Sequence, residues 1–139
     1  MEYKQFENKI FLRIDRGEEI LQSLKNVCEK ENIKLASIAG IGATNNFTVG
    51  VYKVDEKKYY KNTFTGNFEI VSLLGTVTTK DGEFYSHLHF SAGNEKGLVF
   101  GGHLKEAFVS ATCEVVIDIC NGKVERKFDE NIGLNLFKF

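Results

Sequence analysis

The chain has no proline, and only three of its 18 cationic residues are arginines: Arg13, Arg16 and Arg126. Arginine is the side chain best suited to bidentate contacts with phosphate or guanine. Its scarcity, with a formal net charge of −1, argues against a strongly basic nucleic-acid binder. No apolar run approaches the ~20 residues of a membrane-spanning helix, so no membrane partner is expected. The polar opening MEYKQFENK lacks the plan of a signal peptide. Cys28, Cys113 and Cys120 are odd in number and widely spaced, which excludes a disulfide framework or a C-x-x-C pair. A reducing cytoplasm is the expected compartment, with each cysteine a small buried core residue. Internal repeats, low-complexity tracts and linkers are also missing. With 139 residues, the expectation is one domain spanning 1–139.

What is present reads mainly as strands. KIFLRI (9–14) alternates, with Ile10, Leu12 and Ile14 on one side. Asp15-Arg16-Gly17-Glu18 reads as a capping box. The helix that follows carries Ile20, Leu21, Leu24, Val27 and Cys28 at helical spacing and is expected to end near Asn32. LASIAGIGA (35–43) predicts a buried strand ending in a glycine turn. Its G-x-G lacks the third glycine and following helix of a dinucleotide site.

Strands are also expected at 47–54 and 58–65, around Asp55-Glu56-Lys57, and at 68–79. Asp81-Gly82 signals a hairpin into 83–90. AFVSATCEVVIDIC (107–120) alternates, with Ala107, Val109, Ala111, Cys113, Val115, Ile117 and Ile119 on one face. One weak strand is expected beyond Lys123. The fold class is therefore α/β in the broad sense (α+β): a central mixed, largely antiparallel sheet with one long amphipathic helix packed on it, in two layers.

All three histidines fall in one 17-residue stretch, as His87-Leu88-His89 and then Gly101-Gly102-His103. Positions i and i+2 of a strand project from one face, and neutral imidazole is a common zinc ligand. A third histidine returning through a glycine-rich turn would leave the open position of a catalytic or ligand-binding metal site. A two-residue turn at Asp81-Gly82 sets Thr78 opposite Tyr85, Thr76 opposite His87 and Leu74 opposite His89. The histidines then share a face with Tyr85, Thr76, Thr78 and Ser72. The other face carries Phe84, Leu88, Phe90, Val71, Leu73 and Val77. The site is expected away from the helix-covered core, in a cleft or at a subunit contact.

H-x-H alone equally fits solvated histidines on a polar strand face. Candidates for a fourth ligand or a general base are Glu69, Glu114 and Asp118, with Tyr85 as a further catalytic candidate. Glu69 has the opposite parity from the histidines unless a bulge intervenes. No G-x-S-x-G elbow or P-loop is present. Cys113 is a conceivable nucleophile, but its parity with Val115 and Ile117 points to the core. KVDEKKYYK (53–61) mixes lysines with aromatics, as a nucleic-acid contact or a solvated hairpin tip would.

Four segments, GEEILQSLKNVCEKENIKLASIAGIGA, GNFEIVSLLGTV, HLHFSAGNEKGLVFGGHL and SATCEVVI, resemble the plants-and-prokaryotes-conserved (PPC) domain family in order and spacing, over residues 7–137. The resemblance implies an α/β fold, a tight homotrimer, and a divalent metal, zinc or another transition metal, on His87, His89 and His103. A small molecule could then bind at the metal. Prokaryotic members are often described as DNA-binding. In plant members that role resembles the work of a separate AT-hook segment with an Arg-Gly-Arg-Pro core, which this chain lacks. Asn67 also stands where the plant pattern tends to have arginine. The remaining alternative is an assembly module without chemistry.

Overall fold

Alternation along KIFLRI is realised: Ile10, Leu12 and Ile14 are buried, while Phe11 and Arg13 face outward. The computed structural model describes all residues, Met1–Phe139. In order it contains β1 (Glu2–Phe6), β2 (Lys9–Asp15), α1 (Ile20–Lys30), β3 (Ala36–Lys53), β4 (Lys58–Lys80), β5 (Glu83–Gly93), β6 (Val99–Ile119), β7 (Glu125–Asp129) and β8 (Leu134–Lys138). Strands account for 69% of residues, so the class is α+β with a dominant sheet. No helix is long and apolar enough to cross a membrane.

The helix is short, 11 residues, not the long element expected. Its start is delayed because residues 17–18 are tied to β6: Gly17 N–H donates to the Val109 carbonyl (2.8 Å), and Val109 N–H donates to the Glu18 carbonyl (3.0 Å). Glu19, not Asp15, is the N-cap, its carboxylate accepting from Gln22 N–H at 2.7 Å. Half of the expected box survives, since Glu18 Oε2 accepts from Asp15 N–H at 2.7 Å. Glu31 caps the end, and Asn32 follows with φ 53°, the left-handed conformation that stops a helix. Ile20, Leu24, Val27 and Cys28 form the buried face.

Asp81 and Gly82 both have positive φ, 54° and 83°, as a type I′ hairpin requires. The β4–β5 ladder has the expected register, with Thr78↔Tyr85, Thr76↔His87 and Leu74↔His89. β3 pairs antiparallel with β4 and β6, and β5 pairs with the same two strands. These four strands therefore form a closed circuit, and β1–β2 extends it beside β6.

Gly40 and Gly42 do not turn the chain. β3 runs through them to Lys53 with irregularities at 40–42 and 44–46. A Cβ on Gly42 would lie 2.6 Å from Cys113 Cα, so glycine here permits close strand contact. Other bulges shift parity. Val71 was expected in the core but is 54% exposed, because β4 bulges between Ile70 and Ser72. Ala111 is exposed for the same reason, at the irregularity between the Gly42↔Cys113 and Thr44↔Val109 pairs.

Two strands were not expected. β1 is a polar edge strand, which gives no apolar alternation to read. The tail forms two strands, β7 and β8, in place of one. β7 joins β4 in parallel at Thr79↔Glu125, which makes the sheet mixed. Phe47 centres the core, its ring 5.1 Å from those of Phe64, Phe68 and Phe90.

Candidate metal centre

Alternation along β5 buries Leu88 and Phe90 and turns His87 and His89 to the opposite side. Gly75 lets β4 lie tightly beneath them: a Cβ there would overlap the His87 carbonyl and sit 2.7 Å from Leu88 Cα. The return to β6 is fixed by Asn94, whose side-chain oxygen accepts from Lys96 N–H (3.0 Å) and Leu98 N–H (3.1 Å). Gly97 supplies φ 73°. This turn sets the register in which His103 stands opposite His89 on one side and Gly50 on the other.

The three histidines thus converge. Ring centroids lie 5.2 Å apart for His87–His89 and for His87–His103, and 5.9 Å for His89–His103. One ligand atom from each lies within 4.8 Å of the others. Ligand nitrogens on a tetrahedral zinc are ~3.3 Å apart at the usual bond lengths, a contraction of the kind side-chain rotation supplies. Burial pushes the pKa of His103 down to about 4, with smaller contributions from His87, His89 and Lys105. Burial likewise lowers that of His87, helped by His89 and Arg126. Both are therefore neutral imidazoles near pH 7, the form that binds metal. His103 Nδ1 is buried without a hydrogen-bond partner. An orphaned ring nitrogen in a group of three imidazoles fits a divalent transition metal.

The tail hairpin turns this side of the sheet into a cleft. A cavity of about 230 Å³ is lined by Tyr59, Tyr85, His87, His103, Arg126 and the stretch 134–137 of β8. Arg126 is buried beneath it. Its Nε–H donates to Thr78 Oγ1 (2.9 Å), Nη1–H to the Asn135 carbonyl (2.9 Å) and Nη2–H to Thr76 Oγ1 (3.4 Å). Of the polar face expected around the histidines, Tyr85 lines this cavity, Thr76 and Thr78 hold Arg126, and Ser72 lines a different groove.

The catalytic candidates separate. Tyr85 lines the cavity with His87 and His103. Glu69 stands opposite Gly93 beyond the β4 bulge, so it regains the histidine-side parity. It is four residues along the ladder from His89, ~13 Å at strand rise, and exposed. Glu114 lines a different groove, with Ile41, Val71 and Leu74. Asp118 pairs with Lys9 and Asn8.

Cys113 is buried, its thiol pushed up to about 12 chiefly by burial, as a core residue should be. Cys28 is also buried, but Cys120 is exposed, contrary to expectation. At the 53–61 hairpin tip, Lys53 pairs with Glu56 (3.0 Å) and lies 4.5 Å from the Tyr60 ring centre. Sequence reasoning missed Tyr59, Asn135 and Arg126 as site residues. The only available signal was Arg126 being one of so few arginines.

Fold and site together define an α+β sheet protein with an open three-histidine cluster. The model of the Plants and Prokaryotes Conserved (PCC) domain matches residues 1–121, and the chain belongs to that family. Among solved structures it is similar to a plant- and prokaryote-conserved protein from Pyrococcus horikoshii: 38% identity, TM-score 0.87, covering 99% of this chain and 94% of that one. A protein of Archaeoglobus fulgidus described as metal-containing is 33% identical, with TM-score 0.88 and coverage of 99% and 97%. A candidate DNA-binding protein from Bacteroides thetaiotaomicron is 30% identical, with TM-score 0.97 and coverage of 99% and 96%. No curated protein matches significantly.

Proposed function

We propose that the chain is a cytoplasmic, homotrimeric metal-binding protein. His87, His89 and His103 hold one divalent ion, zinc first, and leave a position open for a small molecule. The convergence of three imidazoles, one of them with a buried and unpartnered Nδ1 on His103, carries this reading. The metal-containing description of the Archaeoglobus relative supports it. A bound ion would supply Lewis acidity at that open position. Tyr85 is the candidate best sited to orient a ligand there, since it lines the same cavity. Glu69 and Glu114 would take part only from a neighbouring subunit. Because β8 walls the cavity, the functional unit is the whole of 1–139. Free thiols on all three cysteines suit a reducing compartment.

Trimerisation draws support from the outer face of the sheet. Phe11, Ile41, Val71 and Leu74 are each more than half exposed and line one groove, an apolar patch of the kind that marks an interface. The occupant we assign is a second copy of the chain. Titration of zinc into metal-stripped protein tests the metal reading: one site is expected in the wild type and none in His103→Ala. Light scattering tests the assembly: a mass of three chains is expected, and Ile41→Glu/Leu74→Glu should reduce it to one.

DNA binding is a second reading, favoured by the description of the Bacteroides relative. It predicts affinity that falls steeply with salt. Absence of binding at ~50 mM salt would remove it.

A further inference from the structure

Arg126 is 8% exposed, yet it takes part in none of the chain's salt bridges. Its hydrogen-bond partners are two threonine hydroxyls and one backbone carbonyl, all neutral. A buried cation without a counter-charge is costly and is normally paired. A guanidinium has five N–H donors. Three are engaged, leaving one on each terminal nitrogen without a protein partner.

Two aromatic rings also pack against the guanidinium: the Tyr85 ring centre lies 4.7 Å from Cζ and that of Phe137 4.5 Å. In-plane approach to the two terminal N–H groups is the geometry of a bidentate carboxylate. Arg126 lines the same cavity as His87 and His103. The other walls, Tyr59, Leu134, Leu136 and Phe137, are largely apolar and suit a short organic body. The volume of about 230 Å³ corresponds to roughly eight waters of liquid, enough for a small acid and not for a nucleotide.

We propose that this cavity binds a small organic carboxylate, its carboxylate held by the free edge of Arg126 and its body reaching toward the three histidines. The proposal rests on the metal-site reading for what the far end of the ligand meets. The Arg126 contact itself does not need the metal.

Calorimetry with butyrate as probe tests this, with butyramide and inorganic phosphate for comparison, on zinc-loaded and metal-stripped full-length protein. Butyrate should bind both forms at least about tenfold more tightly than butyramide, a difference of about 1.4 kcal/mol. Arg126→Met should lose that preference while keeping its zinc content. Arg126→Lys, which keeps the charge but not the fork, should fall between and covers a failure of the methionine variant to fold. Equal affinity for butyrate and butyramide, no butyrate binding, or phosphate binding tighter than butyrate would each overturn the carboxylate assignment. Butyrate preference lost in Arg126→Met, in a wild type that takes up no zinc, would sink the metal reading and leave the anion site standing.

Discussion

His103 stands directly opposite His89 in the β5–β6 ladder, so the third imidazole is delivered by strand register and not by a flexible loop. A one-residue slip in such a ladder moves every side chain to the other face. Inserting one alanine after His103 would leave that register intact. Inserting it after Lys96, within the Asn94–Leu98 turn, should shift it and abolish zinc uptake. Circular dichroism of the second variant should stay close to wild type. Full zinc binding there would mean that the register does not assemble the site.

Gly75→Ala should act on both stability and metal. The added Cβ meets the backbone of His87 and Leu88, which cannot swing aside as a side chain would. A loss of about 1–3 kcal/mol is expected from overpacking, with zinc affinity roughly 10–100-fold weaker through displacement of His87. Urea unfolding and zinc competition measure the two effects. Unchanged values would show that β4 and β5 can separate without consequence.

Thiol chemistry should separate the cysteines. Cys28 and Cys113 are buried and have pKa values pushed up to about 12, in each case mainly by burial. Cys120 is exposed. Ellman's reagent at pH 8 should label one thiol in the native protein and all three in urea. Rapid labelling of Cys113 in the native state would restore it as a candidate nucleophile.

In metal-free protein, stability should fall as the solution is acidified through the histidine range. His103 has its pKa depressed from 6.5 to about 4. Above pH 6.5 neither the folded nor the unfolded chain protonates it, and its contribution is fully present. Between 6.5 and 4 the unfolded chain takes up a proton that the folded chain resists, so stability is progressively lost. The difference in urea midpoint between wild type and His103→Gln, followed from pH 7 to 4.5, should show this slope. Parallel curves would contradict the burial of a neutral imidazole.

Much of this site was legible in the sequence because its parts are local. Asp81-Gly82 fixed the turn, the turn fixed the pairing of Thr76 with His87, and alternation put His87 and His89 together. What escaped depended on long-range or irregular backbone. The bulge at Val71 inverted the expected parity of Val71 and Glu69. The tie between Gly17 and Val109 shortened a helix whose apolar spacing gives no hint of it. Arg126 becomes a site residue only because β7–β8 folds back over Thr76 and Thr78, and its contacts lie 48 and 50 residues away in the chain. The polar β1 and the tail hairpin have too little apolar alternation to announce themselves.

The central claim is that His87, His89 and His103 hold one divalent ion. Elemental analysis of untagged protein, beside the His87→Ala/His89→Ala variant, tests it most directly. About one equivalent of zinc per chain, retained through dialysis and absent from a folded variant, is the predicted result. No metal in the wild type even after zinc is added back, or equal metal in both proteins, would contradict it.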